Sequence, residues 1–110
     1  MRIAIPLLKG RLATNFADFK QVTLLDAENQ KIKAKKRLTR PLIQPWMLPH
    51  WLREHDVDLL IAGNMNERAM GFFQKAGIKV IAGAPSLSPE ELTQEYLTDH
   101  LLTEEHEKTY

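Results

Sequence analysis

Residues 57–82 read VDLLIAGNMNERAMGFFQKAGIKVIA. The opening VDLLIA is a mostly apolar run of strand length. Gly63, Asn64, Met65 and Asn66 form a turn, and from Glu67 to Ala76 the spacing becomes helical, with Ala69, Met70 and Phe73 on one stripe. Gly77 fits the left-handed position that ends a helix. Residues 78–82, IKVIA, are a second short apolar run of the kind found in parallel sheets covered on both faces.

On the N-terminal side of this unit, residues 49–55 predict a helix, with Pro49 in its first turn and Trp51 and Leu52 facing inward. Residues 40–49 carry three prolines and read as a crossover loop. Trp46 and Trp51 lie beside it, with core packing and covering a ligand as their two readings. Residues 20–26 and 30–38 predict a hairpin turning at Ala27, Glu28 and Asn29. Ile32 and Ala34 alternate with Lys31, Lys33 and Lys35, one face on the core and the lysines in solvent. Such charges guard an exposed edge against other chains, a role that competes with nucleic-acid contact. Residues 2–8, RIAIPLL, predict a buried strand with Ile3, Ile5 and Leu7 on one side. Pro6 lacks a donor and interrupts its ladder. Residues 9–18 read as a loop.

On the C-terminal side, Ser88, Pro89, Glu90 and Glu91 make a capping box, the Ser88 hydroxyl accepting from the Glu91 N–H while the Glu91 carboxylate reaches back. The helix it opens carries Leu92, Tyr96, Leu97 and Leu101, and residues 103–110 are a polar tail. The order β-β-β-α-β-α-β-α predicts an α/β domain over residues 1–102: a mixed five-stranded sheet with an N-terminal antiparallel hairpin and helices on its faces.

Composition narrows the class. A chain of 110 residues is one domain's worth, and 44% hydrophobic residues can build a core, which excludes disordered and fibrous classes. The absence of cysteine excludes disulfides and thiolate-held zinc or iron–sulfur sites. No apolar run approaches the roughly 20 residues that cross a bilayer. The opening MRIAIPLLKG is too quickly polar for a secretory signal, so a cytoplasmic location is expected. The net charge is +1, but residues 1–55 hold 11 basic and 4 acidic side chains and residues 56–110 hold 4 and 10. A basic half attracts anions, whereas folding mixes the halves. A pI near 8.0 argues against a dedicated nucleic-acid binder.

Two segments are candidates for chemistry. A strand feeding the Gly63–Asn66 turn into a helix leaves N–H groups and a positive dipole end for an anion, with Arg68 adding charge. The plain alternative makes Asn66 an N-cap and the turn a connector. The loop of residues 9–18 follows the first strand, at the end where open α/β sheets bind ligands. If the strands before the loop and the turn are parallel neighbours, Lys9, Arg11, Asn15 and Phe16 face Asn64, Asn66 and Arg68. Core packing is the plain alternative for Phe16 and Phe19. No pair among His50, His55, His100 and His106 has the spacing of a helical metal site, and no metal site is expected. There is no cysteine nucleophile, Gly-x-Ser-x-Gly elbow or Walker loop, so no catalytic residues are expected and the chain reads as non-enzymatic.

MRIAIPLLKGRLATNF, LPHWLREHDVDLLIAGNMNERAMGFFQKAGIKVIAGA and PEELTQEYLTDHL together resemble the dinitrogenase iron–molybdenum cofactor biosynthesis family over nearly the whole chain. The resemblance implies a three-layer, ribonuclease-H-like α/β fold without nuclease activity. It implies a carrier of an iron–sulfur or iron–molybdenum cofactor, or its precursor, with nitrogenase-assembly proteins as partners and neither nucleic acid nor membrane. On that reading Lys9, Arg11, Asn15, Phe16, Gly63, Asn64, Met65, Asn66 and Arg68 bind the cluster or another small anion. Two departures stand out. Asn15-Phe16-Ala17 replaces the His-Phe-Gly of many members, and Gly63-Asn64-Met65-Asn66 replaces Gly-Gly-Met-Gly. They motivate an alternative: a divergent member without cluster binding that acts as a protein-interaction or regulatory module.

Overall fold

The computed structural model describes residues 1–101. The expected tail at 103–110 lies outside them. The strands are β1 (Arg2–Leu8), β2 (Arg11–Leu12), β3 (Gln21–Glu28), β4 (Lys31–Thr39), β5 (Leu59–Ile61) and β6 (Lys79–Ile81). The helices are α1 (Leu48–Glu54), α2 (Glu67–Lys75) and α3 (Pro89–Leu97). They build one six-stranded mixed sheet in the order β4-β3-β1-β5-β6, with β2 paired to β1. The expected count of five is therefore corrected to six. Lys9 (φ 55°) and Gly10 (φ 83°) make a left-handed turn that folds Arg11 and Leu12 back on β1.

β1 lies at the centre, antiparallel to β3 and parallel to β5. Its alternation sorts the molecule into layers. Ile3, Ile5 and Leu7 pack with Leu92 of α3 on one face, while Ala4 packs with Leu48 and Leu52 of α1 and Phe73 of α2 on the other. Each such leucine or isoleucine, fully buried, contributes about 1.5–3 kcal/mol over leaving it in water. Pro6 interrupts only half of the pairing. Its carbonyl accepts from Ala13 N–H on the β5 side, pairing with β5 is confined to Ile3 and Ala4, and the ladder with β3 runs on to Leu7.

The hairpin turns at Asn29 (φ 53°) and Gln30 (φ 63°), not at Ala27 and Glu28, which belong to β3. Two consecutive positive φ values match the right-handed twist of the flanking strands. A bulge follows Asp26, so that Asp26 faces Ala34 but Ala27 faces Ile32. The extra residue, Lys33, breaks the simple alternation read from the sequence. Ile32 consequently packs on the α3 face and Leu38, six positions on, packs on the opposite face.

All three helices end alike. Ile78 N–H bonds to Phe73 C=O and Gly77 N–H to Gln74 C=O, with Gly77 left-handed. Asp56 and Asp99 take the same left-handed place after α1 and α3. That ending stops α3 at Leu97, so Leu101 packs on the core from outside the helix. At its start, Glu91 N–H donates to the Ser88 hydroxyl (3.2 Å), which donates to the Glu91 carboxylate (2.9 Å). The carboxylate thus reaches the hydroxyl rather than the Ser88 backbone. At the far end of the sheet Arg2 Nε donates to Asp26 at 2.7 Å and its Nη1 to His55 C=O at 2.8 Å. This bond to Arg2 holds the Asp26 carboxyl below its ordinary pKa.

Candidate functional site

β1 and β5 run parallel, so the segments that leave them emerge side by side. Asn15 and Asn64 form a parallel bridge in which Asn64 N–H donates to Thr14 C=O (2.7 Å) and Phe16 N–H donates to Asn64 C=O (2.9 Å). Only glycine fits beneath this joint: a Cβ on Gly63 would stand 2.5 Å from the carbonyl oxygens of both Ala13 and Thr14. On its other side the Gly63 carbonyl accepts from Gly83 N–H at 2.8 Å. The turn is thereby clamped from two directions.

Beside the joint opens a groove of about 1080 Å³. One wall is the short 3-10 turn Phe16–Asp18 with Asn15 before it, the second is Asn64, Met65, Asn66, Arg68 and Ala69 with Phe72, and the third is Arg40, Pro45 and Trp46 from the crossover. Leu48 and Phe73 line the base. Phe16 is half-buried, its ring 5.1 Å from Phe19 and 5.5 Å edge-on to Phe73, so it both packs and lines. Phe19 is a core residue, 2% exposed.

The predicted residues divide on the structure. Asn15, Phe16, Asn64, Met65, Asn66 and Arg68 come together on the groove. Gly63 is buried behind the joint as its spacer. Lys9 and Arg11 are not among the lining residues: Lys9 is at the tip of the β1–β2 turn, and Arg11 is exposed on β2. Leu12, next to Arg11, is tied down by Ser86 Oγ and by its own N–H to Leu87 C=O. The groove also takes Arg40, Leu48 and Phe72, which the sequence reading did not single out. Phe72 follows Arg68 by four residues, a helical spacing that signals a shared face. Arg40 has no such signal.

The polar groups are unequally committed. Asn66 Oδ1 accepts from Ala69 N–H at 2.8 Å, so Asn66 is an N-cap, as its plainer reading had it. Asn64 Nδ2 donates to Asn15 Oδ1 at 3.3 Å across the rim. Arg40 Nη1 donates to Ala17 C=O (2.8 Å) and Phe19 C=O (3.0 Å), and its guanidinium lies 4.2 Å from the centre of the Phe19 ring. Among the described residues Arg68 makes no ion pair, and the N–H groups of Met65, Asn66, Glu67 and Arg68 have no protein acceptor. They point from the start of α2, where the helix dipole is positive. Among the described residues Asp18 is the one carboxylate lining the groove, no histidine lines it, and Met65 supplies the only sulfur. Among the described residues no group of three or more His, Cys, Asp or Glu side chains could hold a metal. The groove is therefore mostly apolar with two arginines, and among the described residues it offers no set of carboxylate, imidazole or thiolate ligands. No helix among the described residues is long and apolar enough to cross a membrane.

The architecture is shared with solved structures. A protein designated PH0822 superposes with a TM-score of 0.87 at 19% identity, covering 100% of both chains. A protein of Methanocaldococcus jannaschii gives 0.75 at 16% identity over 94% of this chain and 93% of its own. The apo form of the orange protein from Desulfovibrio gigas gives 0.74 at 21% over 93% and 91%. At these identities the likeness establishes the fold. No curated protein sequence matches the chain significantly. The family model described as dinitrogenase iron–molybdenum cofactor does match, over residues 1–99, and the chain belongs to that family.

Proposed function

We propose that the chain is a non-enzymatic carrier whose groove holds an iron–sulfur or iron–molybdenum cofactor, its precursor or another small anion. The observation that carries this reading is one groove, in a chain of this family, bounded by the Asn15–Asp18 wall and the start of α2. Arg68 and the N–H groups of residues 65–68 supply positive potential, and Phe16, Phe72 and Phe73 supply an apolar bed. Cargo is held by charge, hydrogen bonds and contact rather than by side-chain ligation. The proteins that would deliver or receive it belong to nitrogenase assembly in the cytoplasm.

The test is an anaerobic titration with an iron–sulfur cofactor precursor, followed by visible absorption and by tryptophan fluorescence, for which Trp46 on the groove wall is the reporter. Saturable one-to-one binding is expected. Arg68→Ala weakens it roughly tenfold, the scale of one lost charge-assisted hydrogen bond. Arg11→Ala, away from the groove, leaves it unchanged. Absence of saturation, or equal loss from both variants, refutes the reading. The alternative, a member without cluster binding that serves as a protein-interaction or regulatory module, draws support from Trp46 at 63% and Phe72 at 40% exposure beside the groove.

A further inference from the structure

β4 ends the strand order, so among the described residues the outer N–H and C=O groups of this nine-residue strand have no strand to pair with. It is also the most basic element of the chain, with Lys31, Lys33, Lys35, Lys36 and Arg37. Lys35 is held by Glu90 at 2.6 Å, and the other four make no ion pair among the described residues. The register distributes the cations over both faces. Lys35 stands opposite Leu25 of the α3 face, and Lys36 stands opposite Leu24 of the groove face. Half-buried Ile32 and Leu38 lie near the two ends of the strand, one on each face.

These features select among occupants. A second copy pairing through the same edge would bring two cationic strands together, so self-association is opposed by charge. A nucleic acid would use the lysines but leave the backbone edge and both apolar side chains unused. An acidic strand uses all three. Its backbone completes the ladder, its carboxylates meet cations above and below the sheet, and apolar residues near its ends cover Ile32 and Leu38. We propose that β4 is a docking edge for an extended, acidic, proline-free segment of another protein, which joins the sheet as a further strand. The lysines that repel copies of the chain thereby also select the partner. The groove plays no part in this inference.

The probe is a capped peptide of the length of β4, rich in glutamate with a valine near each end, titrated into the full chain and followed by amide NMR. Expected are saturable shifts at Lys31–Thr39 and slowed exchange of amides along the outer edge. A second peptide of equal charge, with proline at alternate positions, cannot complete the ladder and is expected to bind roughly tenfold more weakly. Paired reversal, Lys33→Glu with Lys36→Glu, also lowers affinity roughly tenfold by replacing attraction with repulsion. Both residues are exposed, and the amide spectrum of the variant reports whether it is folded. Equal binding of the two peptides, equal binding of a DNA oligonucleotide, shifts centred outside β4, concentration-dependent self-association through β4, or no saturable shift would each overturn the proposal.

Discussion

Replacing Gly63 with alanine places a methyl carbon 2.5 Å from two backbone carbonyl oxygens, those of Ala13 and Thr14. Neither belongs to a flexible side chain that can swing away, and the turn cannot retreat because Gly83 N–H holds it from the other side. Relief therefore requires opening the joint. The bonds at stake are Asn64 N–H to Thr14 C=O and Phe16 N–H to Asn64 C=O. At a net of about 1 kcal/mol each, with about 1–3 kcal/mol for crowding packed atoms, the expected loss is about 3–5 kcal/mol. A small domain has about 5–15 kcal/mol in all, so the variant remains folded but much weakened. Urea unfolding measures it as a lower midpoint at unchanged slope, and thermal unfolding as a fall of roughly 12 °C or more. Gly71→Ala is the internal control, because an added Cβ there meets nothing within 4 Å. In α2 that change should stabilise by about 0.5–1 kcal/mol. If Gly63→Ala costs less than about 1 kcal/mol and the Phe16 and Asn64 amides stay protected, the joint is not the constraint described.

Three further outcomes are expected. The Thr23 and Thr93 hydroxyls are buried without a hydrogen-bond partner among the described residues, so Thr23→Val should be neutral or stabilise by up to about 1 kcal/mol in urea unfolding. Asp56→Gly relieves a left-handed aspartate after α1 and should raise stability by up to about 1 kcal/mol in the same assay. Asp26 is held below the ordinary carboxylate range chiefly by its bond to Arg2, so its contribution is complete above that range and is lost as pH falls through the lowered value. The thermal midpoints of the parent and Asp26→Asn should therefore differ at neutral pH and converge in strong acid, and a gap that persists there would refute the assignment.

Local chemistry made much of the fold legible. The Gly77 ending of α2, the Ser88 cap and the alternation of Ile3, Ile5 and Leu7 are each written in a few adjacent residues. The misreadings arose where one residue's worth of geometry changed the outcome. Gln30 takes a positive φ that its side chain does not advertise, which moved the hairpin turn, and the bulge at Lys33 rephased β4. At the site, the strand-to-loop pattern indicated Asn15, Phe16 and the Asn64–Arg68 segment. That Arg11 lies away from the groove was not legible locally, because β2 is fixed by Ser86 and Leu87, 74 and 75 positions beyond Leu12. Arg40 is invisible locally because its role depends on where the crossover crosses Phe19.

The central position of β1 also orders the assembly in time. Its pairing with β3 joins residues about twenty apart, whereas Ile3 meets Leu59 only after more than half the chain has been made. Contacts so far apart in sequence close late, because the loop entropy is spent before they form. The groove straddles that late-closing seam, so it does not exist in a half-assembled sheet. Whatever occupies it has nothing to grip while the chain is folding and acts instead on the finished molecule, slowing its unfolding rather than hastening its formation.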